Sequence, residues 1–172
     1  YKAPQEIVQD LLDVVSKNGR LLLNFGPKPD GTLADKDIEI LHKLADWMRV
    51  NDECIHGTGL WRLNQEGPTK IQEGQFADGA SRNFTSEDFR FTCRGGNIYA
   101  ACMACPADGK LHIRSLREAD ASHLPLWHGI VRKVEVLGNP AQAAWTRDGE
   151  ALHVDLGDYQ SDMPVVVKII TD

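Results

Sequence analysis

The chain is 172 residues long, with 42% hydrophobic and 26% charged residues, which is ordinary globular composition and excludes a disordered or collagen-like chain. The length suits roughly one domain and leaves no room for a complete ~250-residue α/β barrel. Nineteen basic against 25 acidic residues give a formal net charge of −6, so no electrostatic footprint for a nucleic-acid backbone or an anionic membrane is present.

No apolar run approaches the ~20 residues of a bilayer span, and the first residues lack the charged, apolar, small-residue order of a signal peptide. The sequence opens on Tyr1 rather than Met and enters a helix almost at once, which raises the expectation of a longer parent polypeptide.

From Pro4 to Lys17 the apolar residues Ile7, Val8, Leu11, Leu12, Val14 and Val15 recur at helical spacing, with Pro4 suited to the first turn and Asn18-Gly19 to the stop. Asp10 and Asp13 fall on its expected solvated face. Leu21-Leu22-Leu23 is a short continuous apolar run, the pattern of a strand covered on both faces. Gly26 to Thr32 is turn chemistry, and Thr32 with Asp35 approximates a capping box. A second helix follows, with Ile38, Leu41, Leu44, Ala45 and Met48 expected along its buried stripe.

After Trp61 the helical period disappears. Strands are expected near Phe89–Arg94, Ile98–Met103, Lys110–Ser115, Val131–Leu137, Leu152–Leu156 and Pro164–Ile170, with turns at the spacing of an antiparallel β-sandwich. Arg94-Gly95-Gly96-Asn97 and Ala107-Asp108-Gly109-Lys110 read as hairpin connections. The domain boundary is placed near Gly57 to Trp61, and the fold class is α+β.

Chemistry is sparse. Four cysteines, Cys54, Cys93, Cys102 and Cys105, form no disulfide framework, and one Cys-x-x-Cys lacks the partners zinc needs. A redox reading of Cys102 and Cys105 requires a helix-start environment that the strand pattern does not offer. Six histidines are scattered without ligand spacing, although His123 and His128 flank Trp127. Glu66 and Glu73 lie in a polar connection, and Ser16 and Ser81 lack the setting of an activated nucleophile. The loop Gly26 to Thr32 has no Gly-Lys-Ser/Thr ending for a nucleotide. No catalytic set, metal site or cofactor is expected within this chain.

Particular strings add to this. Ser16-Lys17-Asn18-Gly19-Arg20-Leu21-Leu22-Leu23-Asn24-Phe25-Gly26-Pro27-Lys28-Pro29-Asp30-Gly31-Thr32 resembles the signature near the end of the catalytic barrel of family 29 α-L-fucosidases. Leu44 to Thr58 resembles that family's last barrel helix and exit. Glu66-Gly67-Pro68-Thr69, Phe89-Arg90-Phe91-Thr92, Gly95 to Ala100, Cys105 to Lys110 and Val134 to Gly138 are similar to its C-terminal sandwich. Arg20, Asp52, His56 and Gly59-Leu60 depart from the usual pattern.

The resemblance implies residues 1–57 as a helix-strand-helix remnant of a (β/α)8 barrel and 58–172 as a C-terminal β-sandwich. It implies a retaining, exo-acting α-L-fucosidase as the full-length protein, acting on fucosylated oligosaccharides or glycoconjugates outside the cytoplasm, in a periplasmic, secreted or lysosomal setting. The catalytic carboxylates would lie upstream, leaving this chain inactive alone, with Asn24, Gly26 and Lys28 as substrate-binding candidates on the active-site rim. The apolar helix faces and Leu21–Leu23 would then need cover from the sandwich, from a second chain or from the missing barrel. The alternative is a stand-alone carbohydrate-binding β-sandwich using Trp61, Trp127, Trp145 or Tyr159 as a sugar platform. Neither reading involves nucleic acid or membrane.

Overall fold

The computed structural model describes residues 1–70, 83–120 and 124–172. Helix α1 spans Pro4–Ser16 and α2 spans Asp35–Asn51. The strands are β1 Gln65–Glu66, β2 Phe89–Arg94, β3 Asn97–Cys102, β4 Lys110–Ile113, β5 Val131–Val136, β6 Ala144–Arg147, β7 Leu152–Asp155 and β8 Val165–Thr171. They form a five-stranded sheet in the order β1-β2-β3-β8-β5 and a three-stranded sheet β4-β7-β6, antiparallel throughout.

The large sheet is covered on both faces, and the period-2 alternation of its strands shows how. Phe89 and Phe91, Ile98, Ala100 and Cys102, and Val165, Val167 and Ile169 point inward to a core shared with Leu111, Ile113, Leu152 and Val154 of the small sheet. Tyr99, Ala101, Met103 and Val166 point the other way, into a second core with Val8, Leu12, Trp47 and Cys54. The molecule is therefore three layers: helices, large sheet, small sheet. In the small sheet one face meets solvent, and β4 alternates cleanly between exposed and buried.

Most expected elements form, with instructive differences. Leu21–Leu23 joins neither sheet; it forms no strand, since a strand needs a lateral partner and none is offered there. Residues 1–57 thus present helix, irregular segment, helix. Thr32 does not cap α2, whose N-cap is Ala34; its hydroxyl donates to Asp30 instead.

The buried face of α2 is carried by Ile40, Trp47 and Asn51, with Leu44 and Met48 partly buried against the same core, while Ile38 is 40% exposed. The layer below α2 thereby selects a stripe rotated from the expected one. Gly95 and Gly96, both at positive φ, make the tight β2–β3 hairpin. The Ala107–Lys110 turn carries the chain from one sheet to the other rather than closing a hairpin, because β3 pairs with β8 and β4 with β7. Among the described residues no helix is long and apolar enough to cross a membrane.

Candidate functional site

Two helices packed on the sheet hold an exposed loop between them, and the polar groups at their bases explain why they stay. Asp13, expected in solvent, is buried, and its Oδ1 accepts from Arg90 Nε at 2.6 Å. Lys17 Nζ donates to its other oxygen at 2.9 Å. Gln9 Nε2 donates to the Met103 carbonyl at 2.8 Å, and Trp47 Nε1 to the Pro164 carbonyl at 2.8 Å. Glu53 accepts from the Tyr99 hydroxyl at 2.9 Å and from Lys168 Nζ at 2.7 Å. Burial works against its charge, and these two donors outweigh that, holding the Glu53 carboxyl below the usual range. Buried polar groups satisfied this way fix orientation as well as position.

From these anchors projects the segment Gly19 to Leu33. Asn18 adopts φ 62°, and Gly19 N–H donates to the Val14 carbonyl at 2.8 Å, a left-handed helix end. Leu21 is 36%, Leu22 92% and Leu23 43% exposed. The turn after them is ordered by its own hydrogen bonds: Lys28 N–H to Thr32 O at 2.7 Å, Gly31 N–H to Lys28 O at 2.9 Å, and Thr32 N–H and hydroxyl to Asp30 Oδ1 at 3.0 and 2.7 Å. The Thr32 backbone N–H, then its hydroxyl, hold the Asp30 carboxyl below its ordinary range.

Asn24, Gly26 and Lys28 all lie exposed on this one stretch. A side chain at Gly26 would meet nothing within 4 Å. The three candidates share a segment that is held at its ends and open in its middle.

The other residues singled out by sequence are committed elsewhere. The buried Cys102 thiol is pushed up to about 12 by burial and Cys54 is raised by the same cause, so neither is a reactive thiolate. Ser16 donates to the Asp13 carbonyl. Glu66 accepts from the backbone N–H groups of Arg114 and Ser115 at 2.7 and 2.8 Å and from the Ser115 hydroxyl, ending β4 in a 3-10 turn. Glu73, Ser81 and His123 lie outside the described residues.

Trp61, Trp127, Trp145 and Tyr159, the sugar-platform candidates of the alternative reading, are each partly buried and pack against the inter-sheet core. Arg147, passed over in the sequence, closes the wall beside Trp127: its guanidinium donates to the carbonyls of Leu116, Arg117, Trp127 and Gly129. Among the described residues the buried carboxylates are Asp13 and Asp88. Asp88 accepts from Thr69 and Thr85. Among the described residues no group of three or more His, Cys, Asp or Glu side chains is arranged to hold a metal ion.

Comparison with known proteins bears on these features. A family model described as Alpha-L-fucosidase matches residues 1–53, the two helices and the loop between them. Tissue alpha-L-fucosidase of Rattus norvegicus is 27% identical over 143 residues, 83% of this chain and 25% of that protein. Plasma alpha-L-fucosidase of Homo sapiens is 38% identical over 69 residues, 40% of this chain and 15% of that protein. The crystal structure of Thermotoga maritima alpha-fucosidase in complex with a mechanism based inhibitor superposes with a TM-score of 0.71 at 26% identity, covering 98% of this chain and 34% of that one. The chain thus spans about a quarter of the first of these relatives and about a third of the solved structure. Family match, sequence relatives and three-dimensional likeness agree, and all three support a likeness of this chain to the C-terminal portion of α-L-fucosidases.

Proposed function

We propose that this chain serves as the closing part of a retaining, exo-acting α-L-fucosidase that removes terminal α-L-fucose from oligosaccharides or glycoconjugates. In this reading residues 1–57 complete a (β/α)8 barrel and residues 58–172 form an accessory β-sandwich. The observation that carries it is Leu21–Leu23: three consecutive exposed leucines, outside both sheets, and presented between two helices that are themselves anchored. Burying such a run between two neighbouring strands returns on the order of 1.5–3 kcal/mol per leucine. A leucine run outside both sheets suits the last stave of a parallel barrel better than any use within this chain.

Barrel active sites sit at the carboxyl ends of the strands, which is where Asn24, Gly26 and Lys28 follow Leu23. We assign them to the substrate rim, Lys28 and Asn24 as hydrogen-bonding groups and Gly26 as a position open to close approach. The chemistry itself would come from outside the chain. One carboxylate attacks the anomeric carbon to form a glycosyl-enzyme, and a second protonates the leaving oxygen and then activates water. Among the described residues the two buried carboxylates, Asp13 and Asp88, are held in structural hydrogen bonds, which supports a catalytic pair supplied from outside the chain. Extracytoplasmic placement accompanies this reading, supported by the relative named for plasma.

The test compares the 172-residue chain with a polypeptide extended upstream through a full barrel, on a chromogenic α-L-fucoside. The extended protein is expected to release fucose with retention, and the 172-residue chain to release none. Substituting Asn24 or Lys28 by Ala in the extended protein is expected to raise KM. Fucose release by the 172-residue chain itself, above that of an identically purified blank, overturns the proposal.

A further inference from the structure

The outer face of the small sheet carries side chains that the fucosidase reading does not use. Read as sequence, the six histidines are scattered. The register of β4 on β7 places His112 directly opposite His153, so the two side chains leave the same face of the sheet. Their Nδ1 atoms are 2.7 Å apart, and the rings meet edge to face. On the far side, His153 Nε2 lies 3.0 Å from Asp148 Oδ2.

Asp148 is itself fixed at the tip of the β6–β7 hairpin. Its Oδ1 accepts from the backbone N–H groups of Glu150 at 2.8 Å and Ala151 at 3.1 Å.

A carboxylate only accepts, so the tautomer of His153 that donates from Nε2 to Asp148 presents a lone pair at Nδ1, and a donor on His112 Nδ1 would complete the short contact between the rings. A metal ion uses the same pair of nitrogens in place of that donor's proton, and the carboxylate behind one imidazole is the usual orienting partner of a metal-bound histidine.

We propose that His112 and His153 form a two-imidazole site for a divalent transition-metal ion of the copper(II) or nickel(II) type, with Asp148 positioning His153 and solvent completing the coordination. Bonds of about 2.0–2.1 Å from nitrogens 2.7 Å apart meet at about 80°, near the right angle between neighbouring ligands of a tetragonal ion. A tetrahedral ion asks for a separation of roughly 3.3 Å at the same bond lengths.

The rings must swing so that both lone pairs converge to one side of the line joining them, and the χ2 torsion of histidine is soft enough to allow it. Room exists: the shallow concavity of about 360 Å³ over this face is lined by Lys110, His112, Thr146, His153 and Asp155. Lys110, which lines the concavity, is paired with Asp155 at 3.3 Å. Binding shifts the His112 proton from Nδ1 to its own Nε2 by exchange with solvent, so both rings remain neutral ligands and no net proton is released.

The test titrates the untagged 172-residue chain with copper(II), followed by calorimetry and electron paramagnetic resonance. The expected result is one ion per chain with two imidazole nitrogens in its equatorial plane. His112→Asn and His153→Asn should each remove one of those nitrogens and weaken binding at least tenfold, and Asp148→Asn should weaken it by about 10–100-fold. Far-UV circular dichroism should be unchanged in all three, because the groups stand on an open sheet face. No binding at millimolar copper(II), or a spectrum that the doubly substituted chain reproduces, overturns the site. An Asp148→Asn chain with undiminished affinity overturns the positioning role.

Discussion

The ion pair between Asp13 and Arg90 joins α1 to β2 across 77 residues of sequence, and its removal offers a quantitative test of why the first helix stays on the sheet. The Asp13 side chain is 8% and the Arg90 side chain 2% exposed. Arg90 also donates to the Phe89 carbonyl and lies over the Phe84 ring at 5.2 Å, while its Nη2 finds no hydrogen-bond partner among the described residues. Replacing Asp13 by Leu leaves a buried guanidinium without a counter-charge, which costs about 3–5 kcal/mol. Arg90→Met should cost less than this, since Lys17, 39% exposed, still faces the remaining carboxylate.

The double replacement removes both charges together with the unsatisfied nitrogen, and pairs of this kind exchanged for apolar side chains are commonly neutral or stabilising. The two single losses therefore should not add. Urea denaturation followed by tryptophan fluorescence measures each free energy, and calorimetry should show the Asp13→Leu chain melting about 6–20 °C lower, at roughly 2–4 °C per kcal/mol for a chain of this size. A loss below about 1 kcal/mol for Asp13→Leu, or a double variant as unstable as the sum of the singles, would refute the reasoning.

Three further outcomes follow from other parts of the molecule. Leu22→Ser should change the stability of the 172-residue chain by no more than about 0.5 kcal/mol, its side chain being 92% exposed, yet cost about 1.5–3 kcal/mol in a polypeptide extended through a barrel; equal effects in both would count against the stave. Gly67→Ala should lower the urea midpoint by the equivalent of about 2 kcal/mol or more, since Gly67 has φ 120° and a Cβ there would lie 2.6 Å from the Glu87 carbonyl oxygen and against Asp88.

The third concerns pH. Burial works to raise the Asp88 carboxyl, but the N–H and hydroxyl groups of Thr85 and Thr69 outweigh it, so its folded value is depressed. Its contribution is present above the unfolded value of ~3.9 and disappears as pH falls through the lower folded value. Stability should decline with acidification across that window, and Asp88→Asn should flatten the decline; a slope unchanged by the substitution would contradict the assignment.

The parts of this protein legible in the sequence are those whose energy is local. α1 is written in the spacing of Ile7, Val8 and Leu12, and the β2–β3 hairpin in Gly95-Gly96, whose positive φ values a tight turn demands. The short strand β6, Ala144–Arg147, escapes such a reading because it is four residues long and has one face open to solvent, so no strong period marks it. The candidate segment was legible too, as a string of leucines, a turn and a helix start, although its failure to pair was not: apolar runs report that a strand wants burial, and say nothing of whether a partner exists.

By itself the sequence determined the helices, the order of the main strands, the tight turns and a likeness to one family, because each is set by residues within a few positions of one another. Only the tertiary structure decided which way the strands face. It put helices on one side of the large sheet and the small sheet on the other, so that Asp13 moved from an expected solvent face into contact with Arg90. Trp145 was turned toward the core, and His112 met His153. These outcomes depend on register and layer order, which join residues tens of positions apart, and shifting a strand by one residue would exchange every one of them for its opposite.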